Sequence, residues 1–157
     1  MTGRVKVSAR ATASDGRTGL LTNPEHGFEL PGIDLTGLTF LAAIHITNLS
    51  TGTATELDLA TLNVTENGAT STDEGGDWTG RDITVSDVRF LAVVPDSTNE
   101  GFVNVTSGIL SGAAQPGGFV VTALPDGLGG SSLSTALSFS PSEASQGVRV
   151  YIWGVKA

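Results

Sequence analysis

In LTFLAAIHITN, Leu38 to Asn48, apolar side chains fall on every second residue. Leu38, Phe40, Ala42, Ile44 and Ile46 take one side of an extended chain, and Thr39, Leu41, Ala43, His45 and Thr47 the other. A period of two is that of a β-strand with one buried face. Three more stretches alternate in this way. DVRFLAVVPD is expected to turn Val88, Phe90, Ala92 and Val94 inward and Asp87 and Arg89 outward, with Pro95, which has no amide hydrogen, ending the ladder. FVNVTSG alternates Val103 and Val105 with Asn104 and Thr106, and GVRVYIWGVKA carries Val148, Val150 and Ile152 on one parity.

Weaker strand patterns occur in VKVSA, ELDLATLNVT, FVVTALP and LSTALSFSP, where Leu133, Leu137 and Phe139 share a parity. About eight to ten short strands separated by turn clusters are expected, the pattern of an all-β sandwich or barrel. SPSEASQG has room for one turn of helix at most. The connections are long and rich in Gly, Ser and Thr. TENGATSTDEGGDWTGRD, Thr65 to Asp82, has little apolar content besides Trp78 and is expected to be a surface loop. In QPGGFVVTALPDG, Gln115 to Gly127, Pro116 restricts one backbone angle and Gly117 and Gly118 open conformations closed to other residues, a corner expected to send Phe119 into the core. Phe40-Leu41-Ala42 and Phe90-Leu91-Ala92 repeat a triplet, too little for a duplicated unit.

The 157 residues are the length of one domain and contain no cysteine, so neither a disulfide nor a thiolate metal site is available. With 21 glycines, 15% charged residues and a mean hydropathy of +0.13, the composition is that of a folded chain with an apolar interior. No apolar run is long enough to cross a bilayer as a helix, and the first residues lack the apolar core of an export signal, so no membrane association is expected. Charge divides the chain. Arg4, Lys6, Arg10 and Arg17 against Asp15 give residues 1–17 a charge of +3, while four basic and fifteen acidic residues give the remainder −11. Residues 1–17 therefore read as a basic arm or first strand, and 18–157 as a single sandwich domain whose acidity disfavours nucleic acid. The arm is either a strand with ordinary surface charges or an extension that docks on an acidic partner or neighbouring subunit.

Residues suited to chemistry are few. A nucleophile–base pair would need His26 or His45; His45 falls on the strand side opposite Phe40, where a solvated or interface imidazole is the ordinary reading, and His26 lies in a turn without further ligands at metal spacing. Asp73, Glu74 and Asp77 offer oxygens to a cation, but without the alternate-position carboxylates and distal glutamate of a calcium loop. DGLGGSS has no basic residue to accompany a phosphate and no following helix. No catalytic residue, cofactor or metal ligand is singled out. In the last strand Arg149, Tyr151, Trp153 and Val155 oppose Val150 and Ile152, so both faces want cover, from a second layer or from a subunit contact.

The segments VNVTSGIL, QPGGFVVTALPDG, LSTALSFSPS and GVRVYIWGV, in that order, resemble small β-sandwich virion proteins of tailed bacteriophages. In these a Pro-Gly-Gly-Phe corner feeds a strand ending in Leu-Pro, a Thr-Ala-Leu segment follows, and an alternating strand closes the domain. FLAAIHITNLSTGTA is similar to a strand of such proteins that leads through an asparagine into a Thr/Gly turn. The resemblance covers the carboxy-terminal third and the Phe40 block. It implies a jelly-roll-like antiparallel sandwich acting as a capsid decoration protein or other head or tail component, non-enzymatic, assembled in the host cytoplasm and carried in the virion. Its partners would be the major capsid protein or other virion proteins and further copies of itself. Strand edges, the arm residues Arg4, Lys6, Arg10 and Arg17, and Arg149, Tyr151 and Trp153 are the expected contacts. The alternative is a carbohydrate-binding or adhesin module, with Trp78, Tyr151 or Trp153 as the aromatic platform.

Overall fold

The computed structural model describes residues 3–5, 8–12, 25–29, 33–65, 67–75, 83–129 and 136–157. Fourteen strands occur among them. β1 (Gly3–Val5), β2 (Ser8–Thr12), β3 (Glu25–Glu29) and β4 (Ile33–Leu35) precede β5 (Phe40–Leu49), β6 (Thr55–Leu57), β7 (Val64–Thr65), β8 (Thr70–Gly75) and β9 (Val85–Pro95). β10 (Val103–Thr106), β11 (Ser111–Ala114), β12 (Val120–Gly129), β13 (Leu137–Pro141) and β14 (Gln146–Lys156) complete the chain. Ten of them form two antiparallel five-stranded sheets, β11-β10-β13-β6-β7 and β12-β9-β14-β5-β8.

Without β7 and β8, the sheets run β12-β9-β14-β5 and β11-β10-β13-β6. First strand lies beside last, second beside next to last, and so inward to β10 and β11, the nested order of a jelly roll. β7 and β8 lengthen each sheet by one strand. The space between the sheets is filled by aliphatic and aromatic side chains, Phe40, Ile44, Ile46, Leu57, Leu91, Phe139 and Val150 among them, all fully buried. β5, β10 and β14 bury the residues expected from their alternation, but Leu38, expected on the Phe40 side, precedes β5 and is buried outside the main core beside Leu41, Phe90 and Trp153.

Three expectations are corrected. In β9 the inward residues are Val85, Val88, Leu91 and Val93, while Phe90 and Val94 face outward with Ala92. The cause is a β-bulge: Gly154 pairs with Val88 but Trp153 with Phe90, so Arg89 is an extra residue that reverses the parity beyond it. Phe40 and Phe90 therefore lie on opposite faces of one sheet, and the repeated triplet is not a structural repeat. Phe119 is 55% exposed. Gln115–Gly118 is a turn closed by Gly118 N–H donating to the Gln115 carbonyl at 2.8 Å, with Pro116 and the positive φ of Gly117 (76°) in the central positions of a type II turn. Val120, one residue later, returns to the core. Finally, Thr70–Gly75, expected to be loop, is edge strand β8. Its polar sequence hides it from an apolar-periodicity reading; its ladder to β5 is made by backbone.

β1 pairs with β4 and β2 with β3, giving two short antiparallel ladders that bring residues 3–5 alongside 33–35 and 8–12 alongside 25–29. The arm thus finds its partner strands beyond residue 18. Arg4 stands opposite Asp34, and Arg10 opposite Gly27, between Glu25 and Glu29. Residues 1–35 hold four basic and four acidic side chains, so the formal charge of −8 falls entirely on 36–157.

Candidate functional site

The outer face of the sheet containing β14 is a grid set by register. Leu41, Trp153, Phe90 and Ala123 form one row across β5, β14, β9 and β12; Ala43, Tyr151, Ala92 and Val121 form the next. His45, Arg149 and Val94 begin a third, and Phe119, preceding the Val120–Val93 pair, extends it beyond β9. The first row is capped: Leu35 and Leu38 are buried against Leu41, Phe90 and Trp153, forming a second apolar cluster outside the main core. The middle row lies open enough to leave Ala43, Tyr151 and Val121 half-buried.

The third row carries a closed group of charges. Arg149 Nε donates to Glu74 Oε2 at 2.8 Å and Nη2 to Glu74 Oε1 at 3.3 Å, while Nη1 donates to Asp96 Oδ1. His45 Nε2 lies 2.7 Å from Asp96 Oδ2, and Nδ1 lies 3.2 Å from Glu74 Oε1. The Glu74 hydrogen bond, reinforced by the charge of Asp96 against the opposing effect of burial, holds the Arg149 guanidinium above its ordinary value. Both imidazole nitrogens face carboxylate oxygens. A bulge delivers Glu74: Asp73 pairs with Ile44 and Gly75 with Ala43, leaving Glu74 as the extra residue. Every carboxylate oxygen of the group is engaged, so it clamps edge strand β8 and the segment after β9 to the sheet centre.

A second polar device lies at the end of the sandwich. Gln146 is 2% exposed; with its amide turned to donate to Gly101 O (3.3 Å) and Phe102 O (3.2 Å), its oxygen accepts from Gly101 N at 3.0 Å. Asn99 Nδ2 donates to Gly147 O at 2.8 Å, and Gly147 N–H donates to Asn99 Oδ1 at 2.9 Å. These contacts hold the β9–β10 connection against the start of β14. They leave Phe102 39% exposed.

Of the residues singled out from sequence, Arg149, Tyr151 and Trp153 share the outer face, but in three different rows and three environments. Arg149 is consumed by carboxylates, Tyr151 lies between alanines, and Trp153 is capped by Leu35 and Leu38. Trp153 remains half-buried against these two leucines. Arg4 and Arg10 lie on β1 and β2, and His26 on β3 opposite Ala11. Lys6, Arg17, Asp77 and Trp78 lie outside the described residues. Among the described residues no group of three or more His, Asp or Glu is placed to hold a metal ion, Glu74 being turned to Arg149 and His45. No helix among them is long and apolar enough to cross a membrane. Sequence reading missed Asp96, Gln146 and Asn99, whose partners are distant in the chain; Gln146, a polar residue opening an otherwise apolar strand, gave no pattern to find. Comparison with protein-family models, with curated proteins and with solved structures finds no match to this chain.

Proposed function

We propose that the protein is a non-catalytic structural component of a tailed-phage virion, a capsid decoration protein or other head or tail component, that works by binding virion proteins. The observation that carries this reading is the outer sheet face. Its charged groups are paired with one another, and beside them lies a band of half-buried Tyr151, Val121 and Val94 and exposed Phe119, an arrangement suited to contact with another protein. The resemblance of the carboxy-terminal segments to small phage sandwich proteins supplies the biological setting. Strand edges contribute little to such contacts: β7 has two residues, β11 four, β8 carries Asp73 and Glu74, and β12 contains Pro125 and an irregularity.

Mass spectrometry of purified phage particles tests the proposal. The expected result is this chain in stoichiometric ratio to the major shell protein for a decoration role, or in a few copies for a tail role; its absence from particles overturns the reading. Glycan-array binding abolished by Trp78→Ala would instead establish the carbohydrate-binding alternative.

A further inference from the structure

We propose that the end of the sandwich carrying Phe102 and Phe119 docks a positively charged, partly apolar segment of another protein. The inference names the chemistry of a partner and holds apart from the virion setting.

Strand order makes this end one surface. In the orders β12-β9-β14-β5 and β11-β10-β13-β6, each strand of one sheet is joined to the strand at the same place in the other, by residues 115–119, 96–102, 142–145 and 50–54. The antiparallel pairings bring all four connections to one end, side by side in that order. They touch: Ser142 N–H donates to the Phe102 carbonyl at 2.9 Å, and Ser145 N–H to the Leu49 carbonyl at 2.9 Å. Phe102 and Phe119 are the two large apolar side chains that remain exposed among the described residues, and both belong to this end. Phe119 stands where its connection enters one sheet and Phe102 where the adjacent connection enters the other, so sheet and strand spacings set their backbones about 11 Å apart.

The charge around these rings has one sign. The four connections contain Asp96, Glu100 and Glu143 and no Lys, Arg or His. Asp96 is engaged by His45 and Arg149, whereas Glu100 and Glu143 are exposed and meet no basic side chain among the described residues. A methyl group on Gly101 would stand 3.1 Å from Glu143 Cγ, which places Glu143 against the residue between Glu100 and Phe102. This rim selects the occupant. A second copy presenting the same end would set carboxylates against carboxylates, and nucleic acid or an anionic lipid surface is repelled. A cationic segment is attracted, and its apolar side chains cover the two rings, aromatic residues being enriched at protein contacts.

The test titrates the purified full chain with the peptide acetyl-Lys-Leu-Lys-Lys-Leu-Lys-amide, whose leucines stand about 10 Å apart when extended, and follows backbone amide shifts by NMR. The expected shifts concentrate in residues 96–102, 115–119 and 142–145. Phe102→Ala and Phe119→Ala each weaken binding about fivefold or more. Glu100→Gln combined with Glu143→Gln weakens it about tenfold and removes most of its salt dependence, whereas Glu56→Gln, on the exposed side of β6, leaves it unchanged. Circular dichroism checks that each variant is folded, and Phe119→Ala alone carries the test should Phe102→Ala misfold. Shifts spread evenly over the acidic surface, shifts centred on β8, equal binding of the peptide with Glu in place of Lys, or no binding at millimolar peptide each overturn the proposal. None of these outcomes depends on whether the chain is found in particles.

Discussion

Trp153 and Phe90 lie with ring centroids 4.7 Å apart and planes tilted by 36°, on the side of the sheet away from the main core. The pair exists because the bulge at Arg89 turns Phe90 outward to the row of Trp153. Leu35 and Leu38 close over both rings.

Trp153→Ala should therefore cost about 2 kcal/mol, less than the ~3–5 kcal/mol of a fully buried aromatic ring because Trp153 is half-buried. Urea unfolding measures it. Since Trp78 is the other tryptophan, Trp78→Phe isolates the Trp153 emission, which should be blue-shifted and should move red in Leu35→Ala.

Gly154→Ala should be among the most damaging single changes. A methyl group there would stand against the Asp87 carbonyl oxygen of the neighbouring strand and 2.8 Å from the Phe40 ring. Backbone in a sheet centre yields little, so a loss of about 3 kcal/mol is expected, the upper end for overpacking. Thermal melting should show it.

Gln146→Leu keeps the volume of the buried side chain but strands the Gly101 N–H and carbonyl, while the Phe102 carbonyl keeps the bond from Ser142 N–H at 2.9 Å. The expected cost is about 1–3 kcal/mol. Limited proteolysis should show faster cleavage around Phe102, since the β9–β10 connection loses that anchor.

Arg149→Met removes the cation between Glu74 and Asp96. Because the group is partly exposed, global stability should fall by about 1 kcal/mol or less. The readout is local: hydrogen exchange should accelerate in β8 and in the amides of β5 paired to it, while β10 and β13 stay protected. Uniform acceleration throughout both sheets would contradict the clamp.

Where one face of a strand is wholly apolar, as in β5, β10 and β14, the alternation of the chain was enough to locate the strand and its buried side. β9 shows the limit of that reading. A bulge is specified by the register between two strands, and no local pattern around Phe90 announces that Arg89 is the extra residue. β8 was invisible for the opposite reason, being held by backbone ladder and by the charges of Glu74 rather than by apolar burial. The arm shows a third limit. Arg4 and Arg10 read as a basic extension while considered along the chain, and as strand residues in register with Asp34 and Gly27 once their partner strands are known. Of the site, Arg149 and Tyr151 were legible as outward residues of a strand; that Asp96 and Glu74 converge on Arg149 depends on contacts far apart in sequence.

The nested strand order also governs how the molecule forms. β14 occupies the middle of its sheet, flanked by β5 from the opposite end of the sandwich sequence and by β9. Until residues 146–156 are in place, both neighbours present unsatisfied inner edges, so closure waits on the most distant pairing in the sandwich and proceeds far more slowly than in a helical bundle of equal size. Nascent chains halted before β14 would expose two adhesive borders at once, which makes ribosome-stalled or truncated product the species most prone to aggregate.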